Sequence, residues 1–145
     1  MLSDLVNFIL AFDEVDLENE TPEIQSFRFS LLLIHNSDIG YLYSTAVFHW
    51  KYLWSDFILN ETGYGLNTDF IKNEILWCAE NERFDCITKF LIDGYYPNLD
   101  DITKINTYFI RNNYHHTEPD LFQQLNHIQS LRRLESIVNN MRNRT

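Results

Sequence analysis

The fold is decided by residues 78–98, which read CAENERFDCITKFLIDGYYPN. Phe84, Ile87 and Leu91 recur at intervals of three and four residues, so they lie on one face of a predicted helix. Gly94 follows this helix, at a point where a helix end often needs a residue that tolerates a positive φ angle. The segment therefore predicts the end of one helix, a short turn, a second helix and a loop.

The rest of the chain shows similar helical spacing of apolar residues. It predicts eight helices, at about residues 2–12, 22–35, 40–48, 52–59, 69–81, 84–92, 99–111 and 120–141. Sustained alternation of apolar and polar residues, which is typical of strands, is missing from the sequence. We therefore expect an all-α fold in one domain over residues 1–145, either as stacked helical hairpins or as a compact helical bundle.

A weaker copy of the deciding segment precedes it in the chain. The spacing from Gly63 to Gly94 equals the spacing from Asn67 to Asn98. Each glycine suits a helix end, and an asparagine side chain in this position can bond its own backbone and fix a turn. The constant separation indicates an internal repeat.

This repeat resembles the ankyrin repeat over about residues 44–101, and its spacing is close to the ankyrin period of about 33 residues. Two departures are clear: residues 73–76 read NEIL where the family has Thr-Pro-Leu-His, and Glu82 replaces the glycine between the two helices. The resemblance implies an ankyrin-like solenoid, in which residues 1–43 and 102–145 form flanking or capping helices.

The resemblance also implies where a partner binds, because loop fingers and first helices form the concave face of ankyrin-type folds. Carried onto the matching positions, that face includes Asn67, Asp69, Trp77, Glu80, Asp100 and Asp101. Tyr95 and Tyr96 place two large rings in the predicted loop, and tyrosine is a favoured anchor of protein interfaces. We expect a partner protein to contact these side chains.

The charge of the chain narrows the class of partner. The formal net charge is -10, and the sequence pI is about 4.7. Free nucleic acid is a poor partner, because phosphate binding needs clusters of Lys and Arg. An acidic surface instead favours a basic protein, which long-range attraction steers toward it. Acidic residues crowd the N-terminal segment, so the predicted binding surface also includes Asp13, Glu14 and Asp16.

The sequence shows no sign of a membrane segment or a leader. No apolar run approaches the length of a membrane span. The apolar stretch at residues 5–12 ends in acidic residues, and it lacks the basic leading region and the cleavage site of a signal peptide. We expect a cytoplasmic protein with no membrane partner.

Patterns typical of catalytic or metal sites are also missing from the sequence. Cys78 and Cys86 lie in apolar helical contexts that predict burial. His115 and His116 are adjacent, and neighbouring side chains on a helix point about 100° apart, which makes a poor shared metal site. We expect a non-enzymatic protein without catalytic residues, metal or cofactor.

These expectations favour a protein that inhibits another protein by binding it. The first hypothesis is an immunity protein that neutralises a basic, nuclease-type toxin by covering the toxin's substrate site with acidic residues. The alternatives are a viral or phage inhibitor of a host defence protein and a general ankyrin-type adaptor. The sequence leaves open the identity of the partner, the source context and the oligomeric state.

Overall fold

The computed structural model describes residues 38–143, and this part of the chain contains seven helices and no strand. The predicted all-α fold is confirmed. The predicted helices at residues 2–12 and 22–35 lie outside the described residues, as do Asp13, Glu14 and Asp16. None of the described helices combines the length and the apolar composition that crossing a membrane requires.

Six of the seven helices begin and end within three residues of the predicted bounds. The sixth in chain order is a single turn that the apolar pattern does not predict. The helices are α1 Ile39–Phe48, α2 Tyr52–Thr62, α3 Asp69–Glu80, α4 Phe84–Ile92, α5 Leu99–Arg111, α6 Tyr114–Thr117 and α7 Pro119–Asn143.

The chain divides into two compact units, residues 1–65 and residues 66–145. In the described part of the first unit, α1 and α2 pack against each other as a hairpin. Leu42, Trp54 and Ile58 are among its fully buried side chains. The expectation of one domain over the whole chain stays a prediction.

Three helices begin in the same way, with a side-chain oxygen that accepts a hydrogen bond from a backbone N–H three residues further on. This cap satisfies one of the N–H groups that a helix start leaves unpaired, and it stabilises the helix by about 1 kcal/mol. Asn98 thereby forms the kind of backbone bond that its position predicts. The pairs are Asp38 with Tyr41 at 3.1 Å, Thr68 with Ile71 at 3.3 Å and Asn98 with Asp101 at 2.8 Å.

The same three helices are each followed by a residue in the left-handed conformation. The φ angles are 58° at Trp50, 58° at Glu82 and 64° at Asn113. After α3, the N–H of Arg83 donates to the carbonyl of Cys78 at 2.8 Å, a bond that closes the helix end in a Schellman motif. Glu82 therefore adopts a backbone conformation that residues other than glycine disfavour, at a cost of about 1 kcal/mol.

Glycines end the second helix of two hairpins. Gly63 follows α2 with a φ angle of 65°, and Gly94 follows α4 with a φ angle of 111°. The positive φ predicted for Gly94 is confirmed. Caps, left-handed turns and glycines thus recur at nearly the same interval along the chain, which is the period that the sequence indicates.

In the second unit, α3 packs against α4 and α5, and α5 packs against α7. Burial of a large aliphatic or aromatic side chain stabilises a fold by about 1.5–3 kcal/mol. The apolar core draws on all four helices and contains Ile71, Ile75, Cys78, Ala79, Cys86, Ile87, Phe90, Ile102, Ile105, Phe109, Leu121 and Leu125.

Helices α3 and α5 run in parallel, as hydrogen bonds between their like ends show. Before their N-terminal ends, the N–H of Tyr96 donates to Oδ1 of Asn67 at 2.7 Å. Beyond their C-terminal ends, the hydroxyl of Tyr114 donates to Oε1 of Glu82 at 3.2 Å. The first helices of two neighbouring hairpins therefore lie side by side, which is the arrangement that a stack of hairpins requires.

The last hairpin departs from the pattern of the others. Helix α6 occupies the turn after α5, and α7 then runs for 25 residues, of which only Leu121 and Leu125 are buried. Aromatic rings hold the turn in place: Phe84, Phe109 and Tyr114 pack edge to face, with centroids 5.0 to 5.7 Å apart. This cluster joins α4, α5 and α6.

Candidate protein-binding site

A cleft of about 220 Å³ opens at the N-terminal ends of α3 and α5. Its walls come from the start of α3, the loop before α5, the first turn of α5 and one side chain of α7. The fold thus brings together three parts of the chain, namely residues 67–72, residues 95–101 and Arg132. The lining residues are Asn67, Thr68, Asp69, Lys72, Tyr95, Tyr96, Pro97, Asn98, Asp101 and Arg132.

Arg132 of α7 fastens the loop before α5 to the rest of the unit. Its guanidinium donates to the carbonyl oxygens of Pro97 and Tyr96, each at 2.8 Å, and lies 3.6 Å from the centre of the Tyr96 ring. It also donates to Oε2 of Glu135 at 3.0 Å, while the Tyr96 hydroxyl donates to Oε1 at 2.9 Å. The hydrogen bonds from Tyr96 and Arg132 hold the pKa of Glu135 below its usual value. Arginine suits this place because its planar fork donates in several directions while its face stacks on a ring.

An ion pair bridges the two helices at the cleft, with Nζ of Lys72 3.6 Å from Oδ1 of Asp101. Asp101 is 7% exposed and Tyr95 is 5% exposed. Burial, and then the charge of Asp101, raise the pKa of Tyr95 to about 12, so its hydroxyl stays neutral near pH 7. Both side chains therefore shape the wall of the cleft and offer little surface to solvent.

The outer side of α3 carries a row of exposed side chains, Asp69, Asn73, Trp77 and Glu80, which we name the α3 face. Intervals of four, four and three residues keep these side chains on one side of the helix. Trp77 is 48% exposed. The α3 face therefore combines one large aromatic ring with two carboxylates on a helix whose other side is packed.

Five of the predicted binding residues meet at the cleft, namely Asn67, Asp69, Tyr95, Tyr96 and Asp101. Trp77 and Glu80 belong to the α3 face but lie about 12 Å or more along the helix from Asp69, at a rise of about 1.5 Å per residue. Asp100 is exposed in the first turn of α5 and does not line the cleft. Within the described residues, the predicted residues other than Asp100 thus divide between a cleft and a helix face.

Lys72 and Arg132 are the cations of the cleft that the sequence prediction misses. Lys72 follows the capping residue Thr68 by four positions, so its place beside the N-terminal end of α3 is readable from the helix pattern. Arg132 carries no such local signal, because its loop partners Tyr96 and Pro97 lie far before it in the chain. The cleft carries both signs of charge, whereas the sequence suggests an acidic surface alone.

A second exposed apolar surface lies on the C-terminal half of α7, and we name it the α7 stripe. Its members are 37–64% exposed and follow one side of the helix. The sequence shows the apolar pattern of this helix but not the point at which its packing ends. The α7 stripe consists of Leu131, Leu134, Ile137, Val138 and Met141.

Among residues 38–143, no group of three or more His, Cys, Asp and Glu side chains is placed to hold a metal ion. The predicted burial of Cys78 and Cys86 is confirmed. The rings of His115 and His116 lie in α6 with their centres 4.0 Å apart, closer than their helical directions predict.

Comparisons of the chain with protein-family models, with curated proteins and with solved structures gave no match. The ankyrin resemblance therefore stays a prediction.

Proposed function

We propose that this protein is a non-enzymatic inhibitor that binds a basic protein partner through the α3 face. The observation that carries the proposal is the exposed ring of Trp77, which lies on a packed helix between carboxylates. Truncation of a tryptophan at an interface centre commonly costs more than about 2 kcal/mol of binding free energy. Trp77 is accordingly the proposed anchor.

The setting of Trp77 favours binding without rearrangement. Helix α3 packs against both α4 and α5, and the neighbouring residues Cys78 and Ala79 are buried. The backbone that carries the Trp77 ring is therefore ordered before a partner binds, and this lowers the entropic cost of association.

Charge supports the choice of partner. Asp69 and Glu80 are exposed on the α3 face, Asp100 is exposed in the first turn of α5, and the whole chain carries a formal charge of -10. Such a surface attracts a basic protein and repels nucleic acid. Within this class we favour an immunity protein that covers the substrate site of a basic, nuclease-type toxin. A viral or phage inhibitor, or an adaptor, would also bind its partner through the α3 face. Its affinity would depend less on attraction between acidic side chains and a basic partner.

The test is a pull-down from the source organism with the tagged full chain, at low and then at high salt. We expect recovery of one basic protein that is released by salt, because exposed charge pairs are screened within about 10 Å at 0.1 M salt. Trp77→Ala should abolish recovery. Ile92→Ala is the matched control, since Ile92 is 71% exposed on α4, outside the α3 face.

Two results would count against the proposal. If Trp77→Ala recovers the partner as well as the wild type does, the α3 face is not the binding surface. Recovery of a neutral partner that salt does not release would show that charge attraction does not drive binding, and it would favour the adaptor hypothesis.

A further inference from the structure

The cleft at the N-terminal ends of α3 and α5 contains a buried carboxylate that accepts no hydrogen bond from residues 38–143. Asp101 is 7% exposed, and its ion-pair partner Lys72 holds Nζ 3.6 Å from Oδ1. That distance is too long for a hydrogen bond, and 36% of the Lys72 side chain is exposed. Buried polar groups nearly always have a hydrogen-bond partner, because its loss costs free energy. The Asp101 carboxylate therefore points to a donor that the described chain does not supply.

The hydroxyl of Tyr95 is a second polar group of the cleft that has no hydrogen bond within the described part of the chain. Tyr95 is 5% exposed and lines the cleft. Burial is the first cause that raises the pKa of Tyr95; the charges of Asp101 and Asp69 raise it further, whereas Arg132 lowers it. The hydroxyl thus lies near two carboxylates, and its oxygen can accept a hydrogen bond there.

The positive groups of the cleft are engaged, so the cleft offers little to an anion. Arg132 donates to two carbonyl oxygens of the loop before α5 and to Glu135. Thr68 and Asn98 cap the two helix starts, and the first turn of each helix carries carboxylates. A positively charged group therefore suits the cleft better than an anion does.

The size of the cleft suits a single side chain. Its volume of about 220 Å³ is below the range of about 300–1,000 Å³ that is typical of small-molecule pockets. Among basic side chains, arginine presents five N–H donors in a planar fork, which can bond carboxylates two at a time. Lysine carries a compact ammonium and lacks this fork.

We infer that the cleft receives an arginine side chain of the basic partner. The guanidinium donates to the carboxylates of Asp101 and Asp69 and to the hydroxyl oxygen of Tyr95, while the partly exposed Lys72 turns away from Asp101. Asp69 belongs to the α3 face as well as to the cleft, so a partner anchored on Trp77 reaches the cleft along one helix. The choice of a basic protein rests on the proposed function, whereas the preference of the cleft for arginine is testable without that protein.

The test titrates the isotope-labelled full chain with a blocked Gly-Arg-Gly peptide and follows the backbone amide signals by NMR. We expect saturable shifts centred on residues 67–72 and 95–101, which line the cleft. The same peptide with citrulline in place of arginine keeps the shape of the side chain without its charge, and it should give no saturable shift.

Four variants assign the binding to the cleft. Asp101→Asn keeps the size of the side chain and removes its charge, so it should weaken binding by about tenfold or more. Asp100→Asn is the matched control, because Asp100 is exposed in the same helical turn and does not line the cleft. Tyr95→Phe should weaken binding several-fold. Lys72→Met removes the competing cation and should strengthen binding several-fold, and circular dichroism checks that each variant is folded.

Three results would overturn the inference: equal binding of the arginine and citrulline peptides, equal losses for Asp101→Asn and Asp100→Asn, or no shift at the cleft in either the wild type or Lys72→Met. Weaker binding by Lys72→Met would also overturn it, because that result would assign the cleft to an anion. If the peptide fails while the pull-down still depends on Trp77, only the arginine site is lost. If the peptide binds while the pull-down fails, the proposed function is lost and the cleft stands.

Discussion

The hairpin of α3 and α4 and the hairpin of α5 and α7 begin alike and end differently. Both first helices start at a side-chain cap and end at a left-handed residue, Glu82 or Asn113. The second helices diverge: α4 has 9 residues and buries three of them, whereas α7 has 25 residues and buries two. Caps and turns set where helices begin and end, but the neighbouring helix sets how much of each one packs.

Length explains the exposed end of α7. At about 1.5 Å per residue, α7 is about 37 Å long, while α5, against which it packs, is about 20 Å long. The C-terminal half of α7 therefore extends beyond α5: Arg132 and Glu135 bond the loop before α5, while the α7 stripe on this overhang stays exposed. Helix α7 thus has an N-terminal half that packs on α5 and a C-terminal half whose apolar side chains are exposed.

The largest expected effect is a difference in stability between the same substitution made in each of these two halves. Leu125→Ala should lower the free energy of unfolding by about 2–5 kcal/mol, because it leaves a cavity against α5. Leu134→Ala makes the same chemical change in the exposed half and should stay within about 0.5 kcal/mol of the wild type. Urea denaturation of both variants measures the difference. Equal losses would mean that the overhang is packed and that the division of α7 is wrong.

An intermediate effect is the pH dependence of stability that Tyr95 causes, in the loop that joins the two hairpins. The folded pKa of Tyr95, about 12, lies above the ordinary value of 10.0, so ionisation is resisted in the folded protein. The stability from the neutral hydroxyl is complete below pH 10 and is lost as the pH rises to about 12, by about 2 kcal/mol. Tyr95→Phe cannot ionise, and its stability should fall less over that range.

Thermal unfolding of the wild type and of Tyr95→Phe between pH 9 and pH 12 checks this effect, because other tyrosines and the lysines are common to both proteins. Parallel pH curves for the two would show that Tyr95 ionises in the folded protein as easily as in the unfolded chain.

The smallest expected effect is a change in stability at the two left-handed turn residues, Glu82 and Asn113. Glu82→Gly should stabilise the protein by up to about 1 kcal/mol, because glycine adopts a positive φ angle without a Cβ clash, although the exposed hydrogen bond from Tyr114 is lost. Asn113→Gly should gain only a few tenths of a kcal/mol, since asparagine already tolerates the left-handed region. Guanidinium denaturation of both variants tests the order. A larger gain at Asn113 would contradict the proposed strain at Glu82.

The sequence predicts the parts of this fold that local chemistry controls. Thr68, Asn98 and Gly94 carry signals within a few residues of the helix ends that they mark, so the helix bounds are predicted closely. Helix α6 is missed, because Tyr114 is placed by rings of α4 and α5 rather than by a local pattern. Glu82 adopts a conformation that its residue type disfavours, because the helix end around it is fixed by backbone bonds.

The candidate site likewise has a part that local sequence indicates and a part that only tertiary packing creates. Asn67, Asp69, Trp77 and Glu80 are predicted from the ankyrin resemblance, which assigns partner binding to the first helix of a hairpin and the loop before it. The Arg132 bonds to Tyr96 and Pro97 are not predicted, because they depend on how α7 packs. The α3 face is thus readable from one helix, whereas the cleft requires the tertiary structure.

The proposed function requires that a partner recognise the α3 face and not the α7 stripe. Calorimetric titration of the captured partner into the wild type, Trp77→Ala and Leu134→Ala tests this requirement. We expect Trp77→Ala to weaken the affinity by about 30-fold or more, which corresponds to about 2 kcal/mol, and Leu134→Ala to leave it unchanged. The reverse order, with Leu134→Ala losing affinity and Trp77→Ala keeping it, would place recognition on α7 and not on the α3 face.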